Sequence, residues 1–130
     1  MSSNVFGQPG GCGVASPRKR AARVVVGGGA VFAARAAERF LACGVDVCTA
    51  IALDELHAMA ARKNPTAVVL SVEAAGESGY LTCAKLRLTR PKMRVVLVGE
   101  ASPRAERLAR FVGARFATEA TAADVVLKLI

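Results

Sequence analysis

The chain has 130 residues, 53 % of them hydrophobic, which is enough for one domain with a real core. Its 18 basic and 10 acidic residues leave a net charge of +8, favouring anionic partners such as nucleic acid, an acidic protein face or membrane phosphates without choosing among them. No apolar run reaches the about 18 residues of a membrane span, and the cysteines form no C-x-x-C pair, so neither a spanning helix nor a paired-cysteine metal site is expected.

Residues 1–22 read as a flexible basic leader and 23–130 as the folded domain. Up to Pro17 the leader is rich in Gly, Ser and Pro; Arg18-Lys19-Arg20 and Arg23 then form a basic cluster. Nothing aromatic is interleaved for base stacking, so a solvated lead-in fits better than a nucleic-acid arm. The cluster and the apolar residues behind it faintly mimic a secretory signal, but Gly27, Gly28, Gly29 and Arg35 interrupt that pattern.

Strand and helix patterns then alternate. Val24 to Val26 is a short buried strand. Ala30 to Cys43 is a helix with Phe32, Ala36 and Phe40 every four residues and Ala33, Ala37 and Leu41 beside them, closed by Gly44. Val45 to Thr49 is a second strand. Leu53 to Lys63 is a helix with acids at its start and bases at its end, stopped by Pro65. Ala67 to Leu70 is strand three, and Gly79 to Thr89 the third helix. Arg94 to Val98 is strand four. Ser102 caps a fourth helix with Pro103 in its first position, running to about Val112 and ended by Gly113. Arg115 to Thr118 is a short fifth strand, and Thr121 caps a last helix from Ala122. Cys43, Cys48 and Cys83 read as small core residues in a reducing, cytoplasmic compartment. Repeated β-α units with short connections imply an α/β fold: a parallel sheet with helices on both faces.

Strand three organises the rest. Its run Ala67-Val68-Val69-Leu70 suits burial on both faces. In an open α/β sheet, chemistry collects just beyond the carboxyl ends of strands, which is where Ser71 stands. A small-residue loop with Gly76 and Gly79 follows.

This stretch resembles the response-regulator receiver (CheY-like) family, whose third strand ends in a phosphate-accepting aspartate followed by an N-M-P-G-x-D-G loop. Gly76 and Gly79 match that loop; Ala75 replaces its proline and Ser78 its aspartate. The resemblance covers about Arg23 to Ile130. It implies a flavodoxin-like sheet in the order 2-1-3-4-5, with the first and fifth helices on one face. It leaves no room for an output domain, so the chain reads as a stand-alone receiver or a piece of a longer regulator.

The resemblance also implies a degenerate phosphorylation site. Gly27 and Gly28 stand at the two magnesium-binding acids, and Ser71 at the phospho-acceptor. Gly99 stands at the hydroxyl residue that senses the phosphoryl group, Glu119 at the phosphate-pairing lysine, and Ala120 at the proline after it. Phe116 keeps the place of the rotating aromatic switch. Magnesium needs several hard oxygen ligands, and only Glu73 and Glu119 remain nearby; the family uses the position of Glu73 through its backbone carbonyl. A serine needs a base to become a nucleophile, and the only histidine, His57, falls on the second helix. The expectation is therefore no catalysis, no metal, no cofactor and Ser71 as a polar loop cap. The protein would be a pseudo-receiver, working through protein contacts rather than phosphoryl transfer.

Two other readings compete. Gly27, Gly28 and Gly29 before a helix also suggest a dinucleotide- or anion-binding turn. However, Phe32 replaces the third glycine of that motif, and strand two ends in Cys48-Thr49-Ala50 without a ribose-binding acid. A nucleic-acid regulator using the basic leader would lack a recognition helix. For a partner, receivers use the face of the fourth helix, fifth strand and fifth helix. Here that face would carry Arg104, Arg107, Arg110, Phe111 and Arg115, suited to an acidic protein or a second copy. Lys85, Arg87, Arg90, Lys92 and Arg94 form another basic group, read as solvated.

Overall fold

The computed structural model describes residues 23–50, 53–73 and 78–129. The leader at 1–22 with its basic cluster, Cys12, and Ala75 and Gly76 of the loop lie outside the described residues.

The chain alternates without exception: β1 (Arg23–Gly27), α1 (Ala30–Ala42), β2 (Asp46–Ala50), α2 (Leu53–Lys63), β3 (Ala67–Ser71), α3 (Gly79–Thr89), β4 (Val95–Val98), α4 (Pro103–Phe111), β5 (Arg115–Ala117) and α5 (Ala122–Leu129). The five strands pair in parallel in the order β2-β1-β3-β4-β5. Right-handed crossovers between parallel neighbours place helices on both faces.

Strand pleat sorts the core. Val25, Val68, Leu70, Val95 and Leu97 pack with Leu56 and Ala60 of α2, Cys83 and Leu86 of α3, and Ala109 of α4. The alternating residues Val24, Val26, Val69, Val96 and Val98 pack with Ala33 and Phe40 of α1 and with Ala122 and Val126 of α5. The central strands β1, β3 and β4 are apolar on both sides because helices cover both sides. At the β2 edge, Arg23 and Asp46 sit opposite each other in register and form an ion pair of 3.2 Å.

The stop signals act as expected. Gly44 (φ 81°) and Gly113 (φ 80°) follow α1 and α4 in the left-handed conformation. Ser102 Oγ accepts the Ala105 N–H at 3.0 Å, behind Pro103. Ser78 does the same for α3, accepting from Leu81 at 3.2 Å.

Two sequence expectations need correction. Cys43 is exposed and Cys48 half-buried; only Cys83 is a core thiol, and burial pushes its pKa up to about 11. Cys43 is the residue after the last helical turn, where the chain leaves the core. Leu41 is exposed, because α1 meets the sheet along Ala33 and Phe40, and Leu41 lies a further 100° round the helix. Thr121 stands directly before α5 as expected, its carbonyl accepting the Val125 N–H at 3.0 Å. Its side chain bonds backwards: Thr118 Oγ1 accepts the Thr121 N–H, and Thr121 Oγ1 accepts the Thr118 N–H at 3.0 Å, closing the turn that leads into the helix.

Candidate functional site

Register alone gathers the candidate residues. Gly27 pairs with Leu70, Ser71 with Val98, and Val98 with Ala117. The carboxyl ends of β1, β3, β4 and β5 therefore meet, and Ser71, Gly99 and Thr118 line one crevice of about 640 Å³, with Gly28 behind Phe32 and Ser71. Phe32, Arg35, Val72, Glu73, Glu100, Glu119 and Ala120 complete its walls.

Each position at which a receiver would place a reactive group is filled or satisfied by another residue. Gly28 has φ 140°, and a Cβ there would lie 3.0 Å from the Phe32 ring and 3.1 Å from Ser71 Cβ. A Cβ on Gly27 would meet Leu56 and Leu70 at 3.0 Å. The space beyond β1 is thus occupied by carbon, with the Phe32 ring over the turn. Gly99 is equally constrained, since its Cβ would stand 2.6 Å from Val72 Cγ2. Ser71 Oγ accepts the Glu73 N–H at 3.2 Å, the short side-chain turn that serine favours at a strand end. Gly79 allows α3 to close against this turn: a Cβ would lie 2.2 Å from the Ser71 carbonyl oxygen.

At the far wall the charge is inverted. Glu119 lies in the turn from Thr118 to Thr121 that precedes α5. Arg35 reaches across from α1 and donates to both carboxylate oxygens, Nε to Oε1 at 3.0 Å and Nη2 to Oε2 at 2.6 Å. The bond from Arg35 holds Glu119 below the usual carboxylate range, and the Glu119 bond raises Arg35. Both side chains are largely exposed, so the pair acts as a clasp over the crevice rather than as a core element.

The residues present do not suit magnesium. Among the described residues no group of three or more His, Cys, Asp or Glu gathers as a donor set. The two positions that would supply carboxylates are glycines, Gly27 against Leu56 and Leu70 and Gly28 against Phe32, and Glu119 is already engaged by Arg35. His57 is half-buried on α2 and lines no part of the crevice.

No protein-family model and no curated protein matches the chain. Solved structures do. The chemotaxis protein CheY4 of Vibrio cholerae superposes with a TM-score of 0.75 at 16 % identity, over 85 % of this chain and 99 % of that one. The Francisella response regulator 1452 receiver domain gives 0.74 at 16 %, over 83 % and 95 %. The signal receiver domain of NarL from Mycobacterium tuberculosis gives 0.71 at 21 %, over 83 % and 94 %. This is the receiver fold. At such identities the likeness establishes the fold and nothing finer.

The receiver fold also locates the basic residues. Arg110, Arg115 and Phe116 line a groove of about 590 Å³ with Glu106, Thr118 and Thr121. Arg104 lies on the other side of α4, close enough to Tyr80 of α3 to oppose the upward push that burial gives the phenol. Arg107 and Phe111 are exposed on the outer surface of α4. The anticipated basic residues thus spread round the exposed surface of α4, from Tyr80 of α3 to β5. Sequence reading missed Arg35, Val72 and Glu100. Arg35 was the findable one, since it lies three residues after Phe32, on the same side of α1.

Proposed function

We propose that this protein is a pseudo-receiver: a receiver domain that has lost aspartyl-phosphate chemistry and acts as a non-catalytic signalling module through protein contacts. The observation that carries this reading is the crevice wall. Phe32 over Gly28, Val72 against Gly99 and Arg35 on Glu119 replace an acidic, cation-binding pocket with apolar packing and an internal ion pair. Ser71 Oγ is taken up by its own turn, and Arg35 of the crevice wall is bound to Glu119 rather than held for a transferring phosphoryl group. The Gly27, Gly28 and Gly29 turn is crowded at its middle, where the Phe32 ring stands 3.0 Å from the place of a Gly28 Cβ, which weighs against a nucleotide phosphate there.

On this reading the degenerate site fixes one conformation, and the groove between α4 and β5, with Arg110, Arg115 and the half-buried Phe116, is a docking surface for an acidic partner or a second copy. The free cysteines suit a reducing cytoplasm. Among the described residues no helix is long and apolar enough to cross a membrane.

The test is incubation with acetyl phosphate and magnesium, followed by intact-mass measurement. An unchanged mass is expected; addition of one phosphoryl group would refute the reading. A thermal-shift screen with nucleotides is expected to be flat.

A further inference from the structure

A parallel sheet with returning helices has two unlike ends. At one the strands finish and the helices begin, and this end holds the crevice. At the other the strands start and the helices finish. The two ends differ in charge. The first helical turns carry Asp54 and Glu55 of α2, Glu106 of α4 and Asp124 of α5. The far end is basic. Arg62 lies near the close of α2, Lys92 and Arg94 lead into β4, and Arg115 opens β5; Arg110 and Lys128 lie in the last turns of α4 and α5. All six are exposed. Among the described residues of these last turns and strand starts the only acid is Asp46, which Arg23 engages at 3.2 Å.

Helix dipoles account for acids in first turns and bases in last turns. They do not account for Lys92, Arg94 and Arg115, which lie outside helices, nor for the apolar residues at the same end. Three helices finish with a large apolar side chain left in water. Leu41, next to last in α1, is 60 % exposed; Leu88, next to last in α3, is 83 % exposed; Phe111, last in α4, is 86 % exposed. The basic end is one continuous surface. Arg87 donates to the Met93 carbonyl at 2.7 Å, Arg90 to the Ala61 carbonyl of α2 at 3.3 Å, and Arg94 to the Leu129 carbonyl of α5.

We infer that this end of the molecule docks on an anionic lipid surface. Leu41, Leu88 and Phe111 enter the boundary between headgroups and acyl chains, and the exposed arginines and lysines lie among the lipid phosphates. The placement of the three apolar side chains selects the occupant. α1 packs on one face of the sheet, and α3 and α4 pack on the other. A partner helix lies along one groove and does not reach both faces. A plane laid across the end of the sheet meets all three. The surface of a folded partner intersperses both signs of charge, whereas an anionic bilayer meets the whole end with one. A nucleic-acid backbone would satisfy the cations but give Leu41 and Leu88 nothing apolar to enter. A second copy would bring the same cations against themselves. The crevice stays open at the opposite end, so the inference does not depend on whether Ser71 can be phosphorylated.

The experiment is co-sedimentation of the full chain with vesicles of phosphatidylserine and phosphatidylcholine, and with vesicles of phosphatidylcholine alone. Binding to the mixed vesicles only is expected, weakening as salt is raised. Leu88→Ser with Phe111→Ser should weaken it by about tenfold or more, because apolar anchors are lost and no charge changes. Lys92→Glu with Arg115→Glu should weaken it through charge alone. Arg104→Glu, at the crevice end, should leave it unchanged. The proposal is overturned by no binding to the mixed vesicles, or by equal binding to phosphatidylcholine alone. Binding that survives Leu88→Ser with Phe111→Ser would belong to the basic leader and overturns it too, as does an Arg104→Glu loss matching that of Lys92→Glu with Arg115→Glu. It is equally overturned if a DNA duplex binds more tightly than the vesicles at the same salt, or if sedimentation shows a dimer that Leu88→Ser with Phe111→Ser dissociates.

Discussion

The strand-end crevice and the outer surface of α3 and α4 are built on opposite principles. In the crevice three polar groups are engaged within the chain: Ser71 in its turn, Glu119 on Arg35, Thr118 with Thr121. The glycines there are gaps that Phe32 and Val72 have filled. On the helices the reverse holds. Phe111, Leu88 and two arginines project outward without a partner among the described residues. A site that satisfies itself internally has little left to offer a ligand, whereas exposed large apolar side chains beside unpaired charge mark a surface kept for something else. The contrast is between side chains engaged with one another and large apolar side chains left exposed.

The largest effect should come from disturbing the closure of the crevice. Gly79→Val drives a side chain into the Ser71 carbonyl and should destabilise the fold by about 3 kcal/mol or more in urea unfolding. A loss below about 1 kcal/mol would mean that α3 is not held against this turn. Restoring receiver-like side chains comes next. Gly28→Asp forces a non-glycine residue into a left-handed backbone under the Phe32 ring and should cost about 1–3 kcal/mol. Gly99→Thr overlaps Val72 and should cost about the same, about 1–3 kcal/mol. Val72→Ala should recover part of the Gly99→Thr loss and none of the Gly28→Asp loss, which separates packing from backbone strain.

Much of this architecture was legible in the chain. The short apolar runs Val24–Val26, Ala67–Leu70 and Val95–Val98 read as central strands, and Gly44, Gly113, Ser102 and Pro103 each carried a local rule that the structure obeys. What stayed hidden depends on tertiary distance. Nothing near Glu119 in sequence announces Arg35, 84 positions away. The role of Val72 appears only once Gly99 is seen beneath it. The helical arginines were visible, but as one stripe spaced by three. Separating Arg110 from Arg104 required knowing which side of α4 faces β5 and which faces α3.

Smaller effects sharpen the same contrast. Leu88→Glu and Phe111→Glu should change stability by less than about 0.5 kcal/mol, because neither side chain is buried in the free protein. A larger loss in either would show that the outer surface of α3 and α4 supports the fold rather than awaiting a partner. Smallest of all should be Glu119→Gln. Because the folded state holds Glu119 below its ordinary pKa, its contribution is complete above the unfolded value of about 4.3 and fades as pH falls through the depressed folded value. The melting temperatures of the two proteins should therefore differ slightly at neutral pH and converge in acid. The complementary rise at Arg35 matters only in strong alkali, outside that window.

The central claim concerns what the crevice can hold, and amide NMR titration with magnesium and beryllofluoride addresses it most directly. If packing has replaced the ion site, the resonances of Gly28, Ser71 and Gly99 should remain where they are as both ions are added. Saturable shifts concentrated at those three residues would mean that the pocket still assembles a cation and a phosphoryl mimic, and the account would be wrong.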